Sequence, residues 1–204
     1  NKIVDIETAE EINKLFFEVI IAPDFSDNAL KLLKSKNNRI IIKLKSYPEN
    51  KIQSRSCLNG ILEQDSDSLI EKFEDFKVVT KKSPNSSMFD DLAIASIVTK
   101  HLKSNCIAIV KGKQLIGSGM GQVSRIDALN QAIEKSKKFG FDLKGSCLSS
   151  DAFFPFSDCV EISHANNIRS IVQPGGSIKD QDSIDFCNKN DMSMVFSGIR
   201  HFRH

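Results

Sequence analysis

The sequence predicts a layered α/β fold in which helices cover both faces of a mixed sheet. Three observations carry that prediction. Helical and strand hydrophobic patterns alternate along most of the chain. Of its 204 residues, 40% are hydrophobic and 26% charged, the balance of a soluble globular chain able to bury a sizeable core. Several predicted strands also run into helices through glycine- or serine-containing junctions.

Taken in order, Glu7–Leu15 reads as a helix and Phe17–Ala22 as a buried strand. Ser26 is placed to cap a helix through Leu33, because its hydroxyl can accept from a free first-turn amide. Arg39–Leu44 is a strand. Residues 45–75 are polar and irregular, and mark the boundary between two parts of the chain. Phe76–Thr80 is a strand. Ser87 or Asp90 starts a helix through Leu102, with Phe89, Leu92, Ala93, Ile97 and Val98 at helical spacing. Cys106–Val110 and Gln114–Gly117 are strands joined by a Lys111-Gly112-Lys113 turn. Ser124 caps a helix to Phe139, and Leu143–Leu148 is a strand leading to a loop at 149–157. A helix at 158–166, a strand at Ser170–Gln173, a helix at 179–189 and a strand at 192–196 complete the series.

Composition excludes several classes of function. A formal charge of +2 argues against a general nucleic-acid binder. No apolar run approaches the roughly 18 residues of a transmembrane helix. Cys57, Cys106, Cys147, Cys159 and Cys187 are odd in number and widely spaced, without a CxxC. They read as reduced, mostly buried cytosolic thiols rather than as disulfides or a zinc site. Neither HxE nor PCxxC occurs, so the zinc-deaminase signature is missing. The chain opens at Asn1 without Met and closes on Arg200-His201-Phe202-Arg203-His204. The reading is a cut N-terminus and a natural C-terminus docked into a site.

Four further segments can carry chemistry. Gly117-Ser118-Gly119-Met120-Gly121-Gln122-Val123-Ser124-Arg125 joins a strand to a helix. Its amides and the Arg125 fork suit an anion, and a tight structural turn is the equal alternative. Ser149–Asp158 holds Phe153, Phe154 and Phe156 about Pro155, rings that can stack on a planar heterocycle, with Asp158 to bond ring nitrogens. The alternative is a hydrophobic anchor with Asp158 as a helix cap. Gln173–Asp180 is a second glycine junction, where amides and Ser177 can meet a polar group or simply cap a helix. Lys103-Ser104-Asn105 precedes a strand, and Asn105 offers both a donor and an acceptor suited to an amide-bearing ligand, the alternative being a helix C-terminal turn. Nearby His101 reads as a structural or surface histidine. Strand-end loops are where ligands gather in open α/β sheets.

The words KVVTK (77–81), KSN (103–105), GQVSR (121–125), SSDAFFPFSD (149–158), QPGGSIKD (173–180) and IRHFRH (199–204) occur in one order. In this the chain resembles, from end to end, the C-terminal part of the bifunctional AICAR transformylase/IMP cyclohydrolase family of purine biosynthesis. The resemblance implies a pair of cytidine-deaminase-like α/β units without zinc. Residues 1–75 would be the remnant of the first transformylase subdomain with an irregular connector, and 76–204 the second subdomain. It implies formyl transfer from 10-formyltetrahydrofolate to the 5-amino group of AICAR, giving FAICAR, in a cytoplasmic homodimer with neither nucleic acid nor membrane as partner. Asn105 and His204 would act at the reacting centre. Arg125, Phe153 and Arg200 would face the nucleotide. Ile126, Pro155, Asp158 and Ser177 would lie toward the folate, and a potassium ion would sit beside Asp151 and Ser104. The family's catalytic Lys-His pair lies in a KHxNP-type motif that this sequence lacks, as it lacks the cyclohydrolase domain. The isolated chain is therefore expected to be inactive alone. The alternative is a catalytically silent ligand-binding or dimerisation module derived from that enzyme.

Overall fold

The computed structural model describes residues 1–47 and 52–203. The chain divides into two compact units, Asn1–Ser66 and the remainder from Asp67. In the first unit, α1 (Ile6–Asn13) is capped by Asp5, and α2 (Asp27–Leu33) by Ser26 as the sequence predicts. Helix α2 crosses between two parallel strands, β1 (Val19–Ala22) and β2 (Ile40–Lys43). Ala9, Ala22, Ala29 and Leu33 form the centre of this unit's core. Val19, Ile21, Ile40 and Ile42 lie on the other face and are exposed, the opposite of what a parallel pair normally shows.

The stretch 45–75 is more regular than its composition predicts. It contains a hairpin of β3 (Ile52–Cys57) and β4 (Gly60–Asp65), and a 3₁₀ turn at Phe73–Asp75. Every residue of the hairpin strands is exposed, so no core face imposes an apolar alternation. The two-residue turn is Leu58-Asn59, with Leu58 at φ +53° and Gly60 opening β4, so no Asn-Gly loop marks it.

The second unit is built on a six-stranded mixed sheet in the order β5-β10-β9-β8-β6-β7. Its strands are β5 (Lys77–Val78), β6 (Ile107–Lys111), β7 (Gln114–Gly119), β8 (Cys147–Ser150), β9 (Ser170–Gln173) and β10 (Ser193–Phe196). β8, β9 and β10 run parallel, and β5 and β6 are antiparallel to their neighbours. The helices are α3 (Ser86–His101), α4 (Arg125–Lys138), α5 (Asp158–Ala165) and α6 (Asp180–Lys189). Successive strand residues join different clusters. Leu148, Ile171 and Met194 pack with Leu129, Val160 and Cys187 of α4, α5 and α6, whereas Cys147, Val172 and Val195 pack with Phe89 and Leu92 of α3.

Two strand boundaries differ from the sequence reading for local reasons. β5 is shorter than Phe76–Thr80 because pairing beyond Val78 changes hands. The Met194 amide donates to the Thr80 hydroxyl (2.9 Å), which in turn donates to the Lys82 carbonyl (2.7 Å). β8 begins at Cys147 rather than Leu143, since Gly145 takes φ +76° and Ser146 turns back to the Leu143 carbonyl. Four cysteines are buried and Cys57 is exposed, all free. Burial pushes the Cys147, Cys159 and Cys187 thiols up to about 12.

Candidate functional site

Strand directions bring the motif segments to one edge. The loops after β8, β9 and β10 leave from the same ends of parallel strands. β6 is antiparallel to β8, with Ile107 opposite Ser150, so its start lies at that edge too. β7 is antiparallel to β6, with Gly119 opposite Ile107, and its end completes the set. Residues 103–105, 120–125, 151–157, 174–179 and 197–203 therefore share one end of the sheet.

At its centre is Arg125, the first residue of α4, set by the Ser124 cap. Its Nε donates to Ser150 Oγ (2.8 Å), and its Nη2 to Asn105 Oδ1 (3.1 Å) and Asp151 Oδ1 (3.0 Å). Asn105 Nδ2 donates to the carbonyls of Gln122 (3.1 Å) and Val123 (3.3 Å). Asp151 is fully buried, and its Oδ2 has no hydrogen-bond partner among the described residues. Burial, then the Asp151 charge, pushes the neighbouring Cys106 thiol far above its ordinary value.

The terminal segment is docked as the sequence predicts through residue 203, while His204 lies outside the described residues. The His201 amide donates to the Asp151 carbonyl (3.0 Å), and Ser104 and Arg203 pair twice, Ser104 N to Arg203 O (2.9 Å) and Arg203 N to Ser104 Oγ (3.0 Å). The Arg203 guanidinium reaches the carbonyl of exposed His101 (3.2 Å). The buried His201 ring meets Asp67 Oδ2 through Nδ1 (2.6 Å) and Glu71 Oε1 through Nε2 (2.8 Å). Ser96 donates to the same Glu71 oxygen, and Lys100 approaches Asp67 at 3.7 Å. Burial opposes charge on His201, but the two carboxylates outweigh it and raise its pKa. Asp67 and Glu71 belong to no motif; no short-range signal could have found them.

Beside this network opens a cleft of ≈ 510 Å³ between the loop at Phe153–Phe156 and the loop at Gly176–Lys179. The Arg200 guanidinium lies 4.6 Å from the centre of the Phe153 ring, and the Lys179 ammonium 4.6 Å from that of Phe156. Pro155 and Ser177 line the cleft. Ile126 is half-buried against the main core, and Asp158 accepts from the Cys159 amide (2.7 Å). The cap position of α5 falls on Ser157 rather than Asp158.

The glycine segments resolve differently from their common reading as anion cradles. A Cβ at Gly117 would come within 2.4 Å of the Ala132 carbonyl oxygen, and one at Gly119 within 1.9 Å of that of Ala128. Those two glycines let α4 lie directly on β7. The Gly176 and Ser177 amides are taken by Asp180 Oδ2 (2.7 and 3.1 Å).

An α/β protein with loops, two arginines and a phenylalanine-lined cleft gathered at one sheet edge has the form of a small-ligand-binding domain. The family model described as AICARFT/IMPCHase bienzyme matches residues 1–135, and the chain belongs to that family. It is 53% identical over its whole length to the bifunctional purine biosynthesis protein PurH of Bacteroides thetaiotaomicron, covering 40% of that protein. The corresponding proteins of Acetivibrio thermocellus and Aquifex aeolicus are 48% and 44% identical, again over the whole chain and 40% of theirs. The chain thus spans about two fifths of the length of the curated relatives it matches. A crystal structure of a diaminohydroxyphosphoribosylaminopyrimidine deaminase/5-amino-6-(5-phosphoribosylamino)uracil reductase from Thermotoga maritima is similar at a TM-score of 0.35. It has 17% identity over 52% of this chain and 34% of that one, too slight a likeness to carry an argument. The resemblance read from the six sequence words is borne out.

Proposed function

We propose that the chain is the C-terminal part of a folate-dependent AICAR formyltransferase, transferring the formyl group of 10-formyltetrahydrofolate to the 5-amino group of AICAR. The observation that carries this reading is 53% identity across all 204 residues to a bifunctional purine biosynthesis protein. In the same reading, residues 1–75 belong to a first cytidine-deaminase-like subdomain and 76–204 form the second. The exposed ladder Val19, Ile21, Ile40 and Ile42 supports an incomplete first sheet. The intact protein is read as a cytoplasmic homodimer.

The amine of AICAR is a weak nucleophile, so the protein must orient it, remove a proton and stabilise a tetrahedral oxyanion. Arg200 and Phe153 offer a cation and a ring to the nucleotide, and Arg125 holds Asn105 at the same sheet edge. Both Asn105 amide hydrogens are engaged, which leaves a lone pair on Oδ1 to accept from the carboxamide. Ile126, Pro155, Asp158 and Ser177 lie toward the folate, and His204 assists proton movement. Asp151 and Ser104 fit a potassium ion: the buried Asp151 Oδ2, without a hydrogen-bond partner among the described residues, and the Ser104 hydroxyl are hard oxygen donors. Such an ion would supply structural charge balance to these loops.

The 204 residues alone bind without turning over, because no KHxNP motif is present. Calorimetry with AICAR and a folate analogue, followed by a formylation assay, tests this. Binding without turnover is expected, with formylation restored when a KHxNP-bearing family segment is joined upstream. Formylation by the 204 residues alone would refute the need for that motif. Neither binding nor formylation, even in the joined protein, would refute the function.

A further inference from the structure

We propose that Gln173 is a positioning residue which, with Asp180, locks the two loop walls of the cleft into one geometry. Gln173 closes β9 and is completely buried. The Phe154 amide can only donate, so it fixes the amide orientation: Gln173 Oε1 accepts from it (3.1 Å), turning Nε2 toward Asp180 Oδ1 (3.3 Å). The other Asp180 oxygen accepts from Gly176 and Ser177. One unbroken chain thus joins the Phe153–Phe156 wall to the Gly176–Lys179 wall. Gly175 keeps the second wall close to β10, since a Cβ there would lie 2.6 Å from the Phe196 ring and its φ is +76°.

The chain is buried at Gln173, so an uncompensated donor or acceptor there cannot turn to water. Gln173→Glu sets two carboxyl groups face to face, where a proton shared between them re-makes the bond, so the decisive single swap is Asp180→Asn. Asp180→Asn, with its oxygen kept on the Gly176 and Ser177 amides, sets an NH₂ against the Gln173 NH₂. The double swap sets acceptor against donor and restores the bonds of the clasp with the charge moved one step inward, losing only the weak donation from Gln173 Nε2 to Met194 Sδ (3.6 Å). As a role in ligand positioning, the proposal rests on the function proposed above; as a clasp between loops it stands on geometry alone.

Amide hydrogen exchange on the 204-residue chain reads the clasp directly. Asp180→Asn is expected to speed exchange at Phe154, Gly176 and Ser177 by about tenfold, with Ile171 and Met194 unchanged. The double swap is expected to return all three to within about threefold of the parent. Parent-like exchange in Asp180→Asn, or a double swap no better than Asp180→Asn, would overturn the clasp. Calorimetry with AICAR and a folate analogue supplies the functional arm. A parent chain that binds neither removes the functional reading, while exchange still decides the clasp. Where the parent binds, Asp180→Asn is expected to weaken affinity about tenfold and the double swap to return it to within about threefold. Equal affinity overturns the positioning role.

Discussion

Arg125 and Asp151 show how a binding-type residue can also hold its own scaffold together. Arg125 is suited by chemistry to grip an external anion, and its Nε and Nη2 also donate to Ser150, Asn105 and Asp151. Removing it with Arg125→Met strands a fully buried carboxylate, and the expected loss is about 3–5 kcal/mol in denaturant unfolding. A loss below about 1 kcal/mol would show the pair to be unimportant to folding. His201 makes a pH-dependent contribution. Both ring nitrogens face carboxylates, so only the doubly protonated ring donates to both. Its pKa is raised, so its stabilisation is full below the ordinary value of 6.5 and lost as pH climbs through the raised one. Burial favours neutral Glu71, but bonding to His201 outweighs it and lowers the carboxyl below its ordinary 4.5. That contribution is present above 4.5 and lost as pH falls through the lowered value. The network therefore contributes most between pH 4.5 and 6.5. Melting temperature against pH should fall on the alkaline side in the parent and flatten there in His201→Leu. An equal alkaline fall in both would remove the role.

At the scale of elements, α4 on β7 is the contact that sets Arg125. Ser124 accepts from the Asp127 amide (3.1 Å), and Ser124→Ala is expected to cost about 1 kcal/mol. Gly119→Ala drives a methyl into the Ala128 carbonyl, and α4 must lift for it to fit. Its expected cost is about 3 kcal/mol, at the upper end for overpacking. A change within about 0.5 kcal/mol would mean that α4 yields freely. The α4 cap was legible because Ser-x-x-Asp before an apolar stripe is a local signal. The role of Gly117 and Gly119 was not, because a glycine in sequence looks alike whether a ligand or a helix comes close. The β3–β4 hairpin was hidden for another reason: strands exposed on both faces carry no hydrophobic period.

At the scale of the molecule, the two principal clusters of the second unit lie entirely within residues 67–204. Residues 67–204 expressed alone should therefore unfold cooperatively, measured by calorimetry with near-ultraviolet dichroism. A non-cooperative melt would show that this core is insufficient. Asp67 and Glu71 carry the His201 network upstream of β5, and the Leu69 carbonyl accepts from Lys100, so a piece starting at Phe76 should melt lower than one starting at Asp67. Equal melting of the two pieces would mean the buried imidazolium pairs add no net stability.

The sequence by itself determined the alternation of helices and strands, the residues of the edge loops and the family. Each is written in local periodicity or in contiguous words. Tertiary structure decided what those residues do for one another. Strand order and direction carried five separated words to one edge, joined His201 to carboxylates more than 100 positions away, and closed Arg125 on Asp151. Buried polar groups must find partners wherever the chain brings them, and no local pattern records which partner that will be.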